Sequence, residues 1–137
     1  MNDHQRIMVV DDDHEMLKLL NRALELEGFN TIVISDGDSA LTLLDKFNPD
    51  LVILDIAMPG LDGFQTLDLI REHSNIPVIM LTAMSEVTKL QRALSLGADD
   101  YIHKPFSTRS LVARIRAKLR RTRQEVSQPF STEHQTT

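Results

Sequence analysis

Ile7-Met8-Val9-Val10-Asp11-Asp12-Asp13 sets four apolar residues directly against three acids. The same pattern returns where Leu51-Val52-Ile53-Leu54 runs into Asp55, and again where Val78-Ile79-Met80-Leu81 runs into Thr82. A further polar pair, Lys104-Pro105, follows the short stretch from Asp100 to His103. Apolar runs of this length, partly β-branched and alternating with helix-like segments, read as strands of a parallel sheet buried on both faces. In an open α/β sheet the carboxyl ends of the parallel strands share one edge, and ligands bind there. The acids, the hydroxyl and the ammonium therefore converge on that edge. Carboxylates suit Mg2+, which takes oxygen ligands; a lysine and a hydroxyl suit phosphate oxygens. The pattern predicts phosphate chemistry at an acidic metal site.

Outward from these runs the chain is a five-fold alternation of strand and helix. The first strand is predicted over about Arg6–Val10, and its helix over about His14–Glu27. That helix carries Met16, Leu17, Leu20, Ala23 and Leu24 on one stripe and stops at Gly28. A strand near Thr31–Ile34 and a helix near Asp38–Phe47 follow, and Pro49 breaks the chain before a strand at Asp50–Leu54. The turn-rich Ala57-Met58-Pro59-Gly60-Leu61-Asp62-Gly63 leads into a helix with Phe64, Leu67 and Ile70 inward. A strand at Pro77–Leu81, a helix at Glu86–Leu96 ending at Gly97, and a short strand at Asp100–His103 come next. The last helix, about Thr108–Arg121, has Ser107 as N-cap and buries Leu111, Val112, Ile115 and Leu119. Residues 122–137 are polar, contain Pro129 and show no period, so they read as a linker or disordered tail after one domain over 1–121. Right-handed crossovers turn the alternation into a doubly wound, flavodoxin-like (βα)5 sandwich with a parallel sheet in the order 2-1-3-4-5. That order makes strands one and three neighbours, so Asp11-Asp12 meets Asp55.

Composition narrows the classes. At 137 residues the chain can build a core without staples, and zero cysteines exclude disulfides and thiolate metal sites. The absence of cysteine fits a cytoplasmic protein. No apolar stretch approaches the roughly 20 residues needed to cross a bilayer, and Met1 to Arg6 has no signal-peptide core. The net charge of -5 disfavours a nucleic-acid surface on the chain as a whole. Seven of the fifteen Lys and Arg residues lie between Arg109 and Arg123, which reads as a solvated basic helix face.

The segments Met8-Val9-Val10-Asp11-Asp12-Asp13, Leu54-Asp55 through Gly63, Leu81-Thr82-Ala83 and Gly97-Ala98-Asp99-Asp100-Tyr101-Ile102-His103-Lys104-Pro105-Phe106 resemble the receiver domain of bacterial two-component response regulators. The resemblance spans about residues 5–121. It implies a phosphorylation switch in which a sensor histidine kinase offers a phosphohistidine and the receiver moves the phosphoryl group to its own aspartate, matched by Asp55. It implies Mg2+ held directly by Asp12 and Asp55, by Asp11 through water, and by the backbone carbonyl of Ala57. It further implies that Lys104 pairs with Asp55 at rest and with a phosphoryl oxygen after transfer, that Thr82 donates its hydroxyl to another oxygen, and that the Lys104–Pro105 bond is cis. Tyr101, the only tyrosine, matches the switch aromatic that turns toward Thr82. Ala57 and Met84 match the positions that tune access of the hydrolytic water, and neither offers that water a hydrogen bond, which implies slow self-hydrolysis.

The last third, from Gly97 through Arg121, resembles the OmpR/PhoB class, whose members attach a winged-helix DNA-binding domain after the last helix. DNA contact is then expected only through a C-terminal domain absent from this chain, which is either a truncated receiver or a stand-alone one. In that class, phosphorylation pairs two receivers through the fourth helix, fifth strand and fifth helix. Asp99, Asp100 and Arg114 match that face, while Leu90 and Ser110 replace a basic residue and an acid that usually pair. Asp13 is expected as a helix N-cap rather than a metal ligand. A haloacid-dehalogenase-like phosphatase would need a second acid two residues after the nucleophile, where Ala57 stands. A nucleotide- or flavin-binding domain would need a glycine-rich loop after the first strand, where three acids stand.

Overall fold

The computed structural model describes residues 4–83 and 90–127. Along them run β1 (Arg6–Val10), α1 (His14–Leu26), β2 (Asn30–Ile34), α2 (Gly37–Phe47), β3 (Leu51–Asp55), α3 (Gly63–His73), β4 (Val78–Ala83), α4 (Leu90–Ser95), β5 (Asp100–Lys104) and α5 (Thr108–Ser127). All five strands are parallel and lie in the order β2-β1-β3-β4-β5, as the alternation predicts.

Strand parity explains why the apolar runs are unbroken. Successive side chains of a strand point to opposite faces, so each run feeds two cores. Ile7, Val9, Leu51, Ile53, Ile79 and Leu81 pack with Leu17, Leu20 and Leu24 of α1 and with Leu111, Ile115 and Leu119 of α5. Met8, Val10, Val52, Leu54, Val78 and Met80 pack with Ala40 and Leu44 of α2, with Phe64, Leu67 and Ile70 of α3, and with Ala93 of α4. The sheet is thus the middle of three layers. Its central strands are rigid supports for whatever their carboxyl ends carry.

Local chemistry sets most helix starts. Asp13 caps α1 by accepting from the Glu15 and Met16 amides, which matches its expected role. Asp36 caps α2, and Asp62 with Gln65 forms a reciprocal capping box at α3. The Ser107 hydroxyl accepts from the Ser110 amide at the start of α5.

Element ends differ from the sequence reading at several places, and Asp55 closes β3 rather than following a strand that stops at Leu54. Thr82 lies inside β4 rather than just beyond it, and Lys104 is the last residue of β5, because the Ala83↔Lys104 pairing carries the ladder past the apolar run. Apolar runs mark burial, whereas hydrogen bonding between neighbours decides where a strand stops. The last helix continues to Ser127 rather than ending at Arg121, so the segment expected as linker from residue 122 begins as helix. No glycine or proline intervenes before Pro129, and residues 120–125 are mostly good helix formers. The expected start of the fourth helix at Glu86 and the position of Met84 lie outside the described residues.

An arginine holds the far side of the sheet together. Arg71 of α3 donates to the carbonyls of Gly97 (2.7 and 3.0 Å) and Ile76 (2.7 Å), and to Asp99 at 2.8 Å. Asp99 also accepts from the Val78 amide at 2.8 Å. The planar guanidinium thus closes backbone groups at the end of α3, the start of β4 and the turn before β5.

Candidate functional site

Register brings the polar ends of the strands together. Val10 pairs with Leu54, which sets the next residues, Asp11 and Asp55, side by side. Asp55 in turn pairs with Leu81, one residue short of Thr82, and Ala83 pairs with Lys104. Asp11, Asp12 and Asp55 each bring one carboxylate oxygen into a group spanning no more than 4.8 Å. Asp11 and Thr82 are fully buried, Asp55 is 4% exposed, and Asp12 is exposed. The site therefore has a closed floor and an open acidic rim.

Lys104 reaches into this floor from β5. Its Nζ donates to Asp55 Oδ1 at 3.2 Å, the pairing expected at rest. It also donates to Asp11 Oδ2 at 3.2 Å, a contact the sequence reading did not contain. Asp11 is further fixed by accepting from the Asp13 amide through Oδ1 at 2.9 Å. The Lys104–Pro105 peptide bond is cis, as the resemblance implies. The Thr82 hydroxyl donates to the Ala83 carbonyl at 3.1 Å.

The electrostatics are lopsided. Burial, then the adjacent Asp11 carboxylate, pushes Asp55 up to about 6 in spite of the opposing pull of Lys104, with Asp12 adding to the rise. Burial alone would lower the Lys104 ammonium, but Asp55 and Asp11 outweigh it and hold the pKa above its ordinary value. Among the described residues three carboxylates face one ammonium, so the cluster is short of positive charge. Oxygen donors in a small group, two buried and one open to solvent, fit a hard divalent cation that keeps part of its water, as Mg2+ does. Ala57, whose backbone carbonyl is the fourth expected ligand, lies exposed in the loop two residues after Asp55. No carboxylate stands at position 57, which leaves a dehalogenase-like phosphatase without its second acid.

Beyond the acidic cluster, the proposed switch and pairing residues occupy the β5 side. Tyr101 is half-buried and packs against the core beneath α2, α3 and α4, with its ring edge-on to His103 at 5.5 Å. Arg114 pairs with Asp100 at 3.0 Å, and Asp99 is taken by Arg71, so both acids of the expected pairing face are engaged within the chain. The side chain of Leu90 lies outside the described residues, and Leu94 of α4 is 47% exposed. Sequence reasoning missed Arg71 entirely; its bond to the Gly97 carbonyl, 26 residues away, leaves no local pattern.

Comparison with known proteins converges on one family. The response regulator receiver domain model matches residues 7–116. The DNA-binding response regulator MtrA of Mycolicibacterium smegmatis is 45% identical over 127 residues, which are 93% of this chain and 56% of that protein. The transcriptional regulatory protein CpxR of Escherichia coli K12 is 52% identical over 117 residues, 85% of this chain and 50% of that protein. The chain thus spans about half the length of the curated relatives it matches. Among solved structures, a CheY-like response regulator receiver domain protein from Methanospirillum hungatei superposes with a TM-score of 0.84 at 28% identity, over 90% of this chain and 99% of that one.

Proposed function

The chain belongs to the response regulator receiver domain family, and on that premise we propose that it is a phosphorylation switch whose acceptor is Asp55. As a receiver it is a signalling domain rather than an enzyme of metabolism; its chemistry is confined to gaining and losing its own phosphoryl group. The observation that carries the reading is the meeting of Asp11, Asp12 and Asp55 around the Lys104 ammonium at one sheet edge. The donor is a phosphohistidine on a sensor histidine kinase, and the compartment is the cytoplasm. No helix among the described residues is long and apolar enough to cross a membrane.

Each residue has a physical task. Asp55, when ionised, attacks phosphorus directly, since a carboxylate needs no base to remove a proton. The new bond joins one Asp55 oxygen to phosphorus, and the bond to the departing imidazole nitrogen breaks. Asp11, Asp12, Asp55 and the Ala57 carbonyl would hold Mg2+, which when bound neutralises the charge gathering on the phosphoryl oxygens. Lys104, already between Asp11 and Asp55, shifts toward a phosphoryl oxygen and supplies a second positive charge. Thr82 exchanges its bond to the Ala83 carbonyl for a phosphoryl oxygen, and Tyr101 follows the space this movement opens. Ala57 offers no side-chain hydrogen bond to an attacking water, which favours a long-lived phosphoryl group.

The test is labelling of the chain by acetyl phosphate, read by mass spectrometry of the intact protein and of its peptides. Labelling is expected with Mg2+ and is lost in excess EDTA. Full labelling in EDTA overturns the metal-dependent reading.

Output follows from the β5 side. Phosphorylation is proposed to pair two copies symmetrically through α4, β5 and α5, with Leu94 adding apolar contact and the Asp100–Arg114 pair reorganised across the two-fold axis. The proposed output is control of transcription through a DNA-binding domain, as in the relatives named for DNA binding and transcriptional regulation. Size-exclusion with light scattering is expected to show a monomer alone and a dimer with Mg2+ and beryllofluoride. A monomer under both conditions overturns the pairing.

A further inference from the structure

Gly63, the first residue of α3, stands against the backbone of the acceptor rather than against a side chain. A Cβ built there would collide with the Asp55 carbonyl oxygen, and would lie 2.6 Å from Ile56 Cα and 3.0 Å from the Asp55 carbonyl carbon. The Gly63 amide also donates to the Ile56 carbonyl at 3.0 Å, closing the loop that carries Ala57 back onto the end of β3. Its conformation does not call for glycine, because the positive-φ glycines are Gly28, Gly60 and Gly97. Glycine is a poor helix former, so its place in the first turn of α3 answers to space alone.

We propose that Gly63 is a positioning residue for phosphoacceptance: its missing side chain lets α3 seat directly on the Asp55–Ile56 main chain and fixes where the Asp55 carboxylate meets Asp11 and Lys104. This inference rests on the reading of Asp55 as the acceptor. A methyl group at this point meets only backbone, so no rotamer change can make room. Either α3 lifts or the end of β3 moves, and β3 is the central strand of the sheet. Gly37 offers the contrast. A Cβ there would collide with Thr66 Oγ1 and lie 3.0 Å from the Leu61 carbonyl oxygen, so its worst clash is with a side chain that can turn.

Gly63→Ala and Gly37→Ala therefore crowd the same helix, but only the first displaces the acceptor. For each variant and the wild type, three quantities are compared: the urea midpoint, the Mg2+ dissociation constant from amide chemical shifts, and the labelling rate by acetyl phosphate at saturating Mg2+. Both variants are expected to lose stability. Only Gly63→Ala is expected to weaken Mg2+ binding and to slow labelling at saturating Mg2+, by about 10²-fold, the loss that a misplacement of ~1 Å produces. If Gly63→Ala is unfolded, the same constants are taken with the chain refolded by trimethylamine N-oxide. A Gly63→Ala chain whose Mg2+ constant and labelling rate equal those of Gly37→Ala overturns the positioning role. A wild-type chain that binds Mg2+ but is never labelled overturns the phosphoacceptor reading instead, and the Mg2+ constants of the variants still decide the role of Gly63.

Discussion

Asp55→Asn is expected to abolish labelling by acetyl phosphate or by a cognate kinase while raising the stability of the metal-free chain. The first effect follows from chemistry. An amide oxygen is a far weaker nucleophile than a carboxylate, and no other acid ends the central strand. The second follows from the charge at the site. Asp55 has its carboxyl held at about 6 rather than 3.8, so keeping it ionised in the fold costs up to about 3 kcal/mol at pH 7.5. The isosteric amide removes that cost. Lys104 loses one of its two acidic partners but keeps Asp11, so the net gain is about 1–2 kcal/mol. The sign with pH is fixed by the same values. A raised carboxyl adds stability that is complete below 3.8 and is lost as pH rises through about 6, so the advantage of Asp55→Asn is largest above pH 7 and vanishes toward pH 4. Urea unfolding at both pH values, with mass spectrometry of the labelled peptides, reads both effects. Labelling of the variant at some other residue, or a variant less stable than wild type at pH 7.5 without metal, contradicts the assignment.

The sheet was legible because its strands are buried on both faces. Parity sends Ile7 and Val9 one way and Met8 and Val10 the other, and both ways lead to helices; hence four apolar residues in a row instead of an alternation. The acids were legible because a charge directly after such a run cannot belong to either core. What stayed hidden is what crosses between elements. Lys104 was expected to meet Asp55, yet its second partner, Asp11, depends on how close β1 lies to the β4–β5 end of the sheet. Gly63 read as a turn residue in Asp62-Gly63, whereas it begins a helix and owes its identity to the neighbouring strand. Asp99 read as part of an intermolecular face, and its bond to Arg71 and the Val78 amide became visible only with α3 in place. Periodicity reports which side of an element is buried; it carries nothing about a side chain that reaches past its own layer.

Lys104→Met is expected to be strongly destabilising at neutral pH. Among the described residues the ammonium is the only cation bonded to Asp11 and Asp55, which are 0% and 4% exposed. Removing one partner of a buried ion pair leaves its charge uncompensated and costs about 3–5 kcal/mol. Here two carboxylates lose the same partner, so the upper part of that range applies in the absence of metal. Methionine is an unbranched apolar chain of similar length, so the loss is electrostatic rather than a cavity. Two rescues follow from that cause. Acid should repair the variant, because without Lys104 the Asp55 carboxyl rises above the value of about 6 that it has with the lysine present, and the folded state takes up a proton that the unfolded chain releases. The stability gap to wild type therefore narrows as pH falls from 8 through 6. Mg2+ should repair it as well, and by more than it stabilises wild type, since the cation then enters a site with no competing ammonium. Phosphoacceptance is not expected to recover with either rescue, because the phosphoryl oxygen still lacks its second positive partner. Urea midpoints at pH 8 and pH 6, each with and without Mg2+, separate these contributions. A gap that is independent of both pH and Mg2+ would mean that Lys104 contributes packing alone.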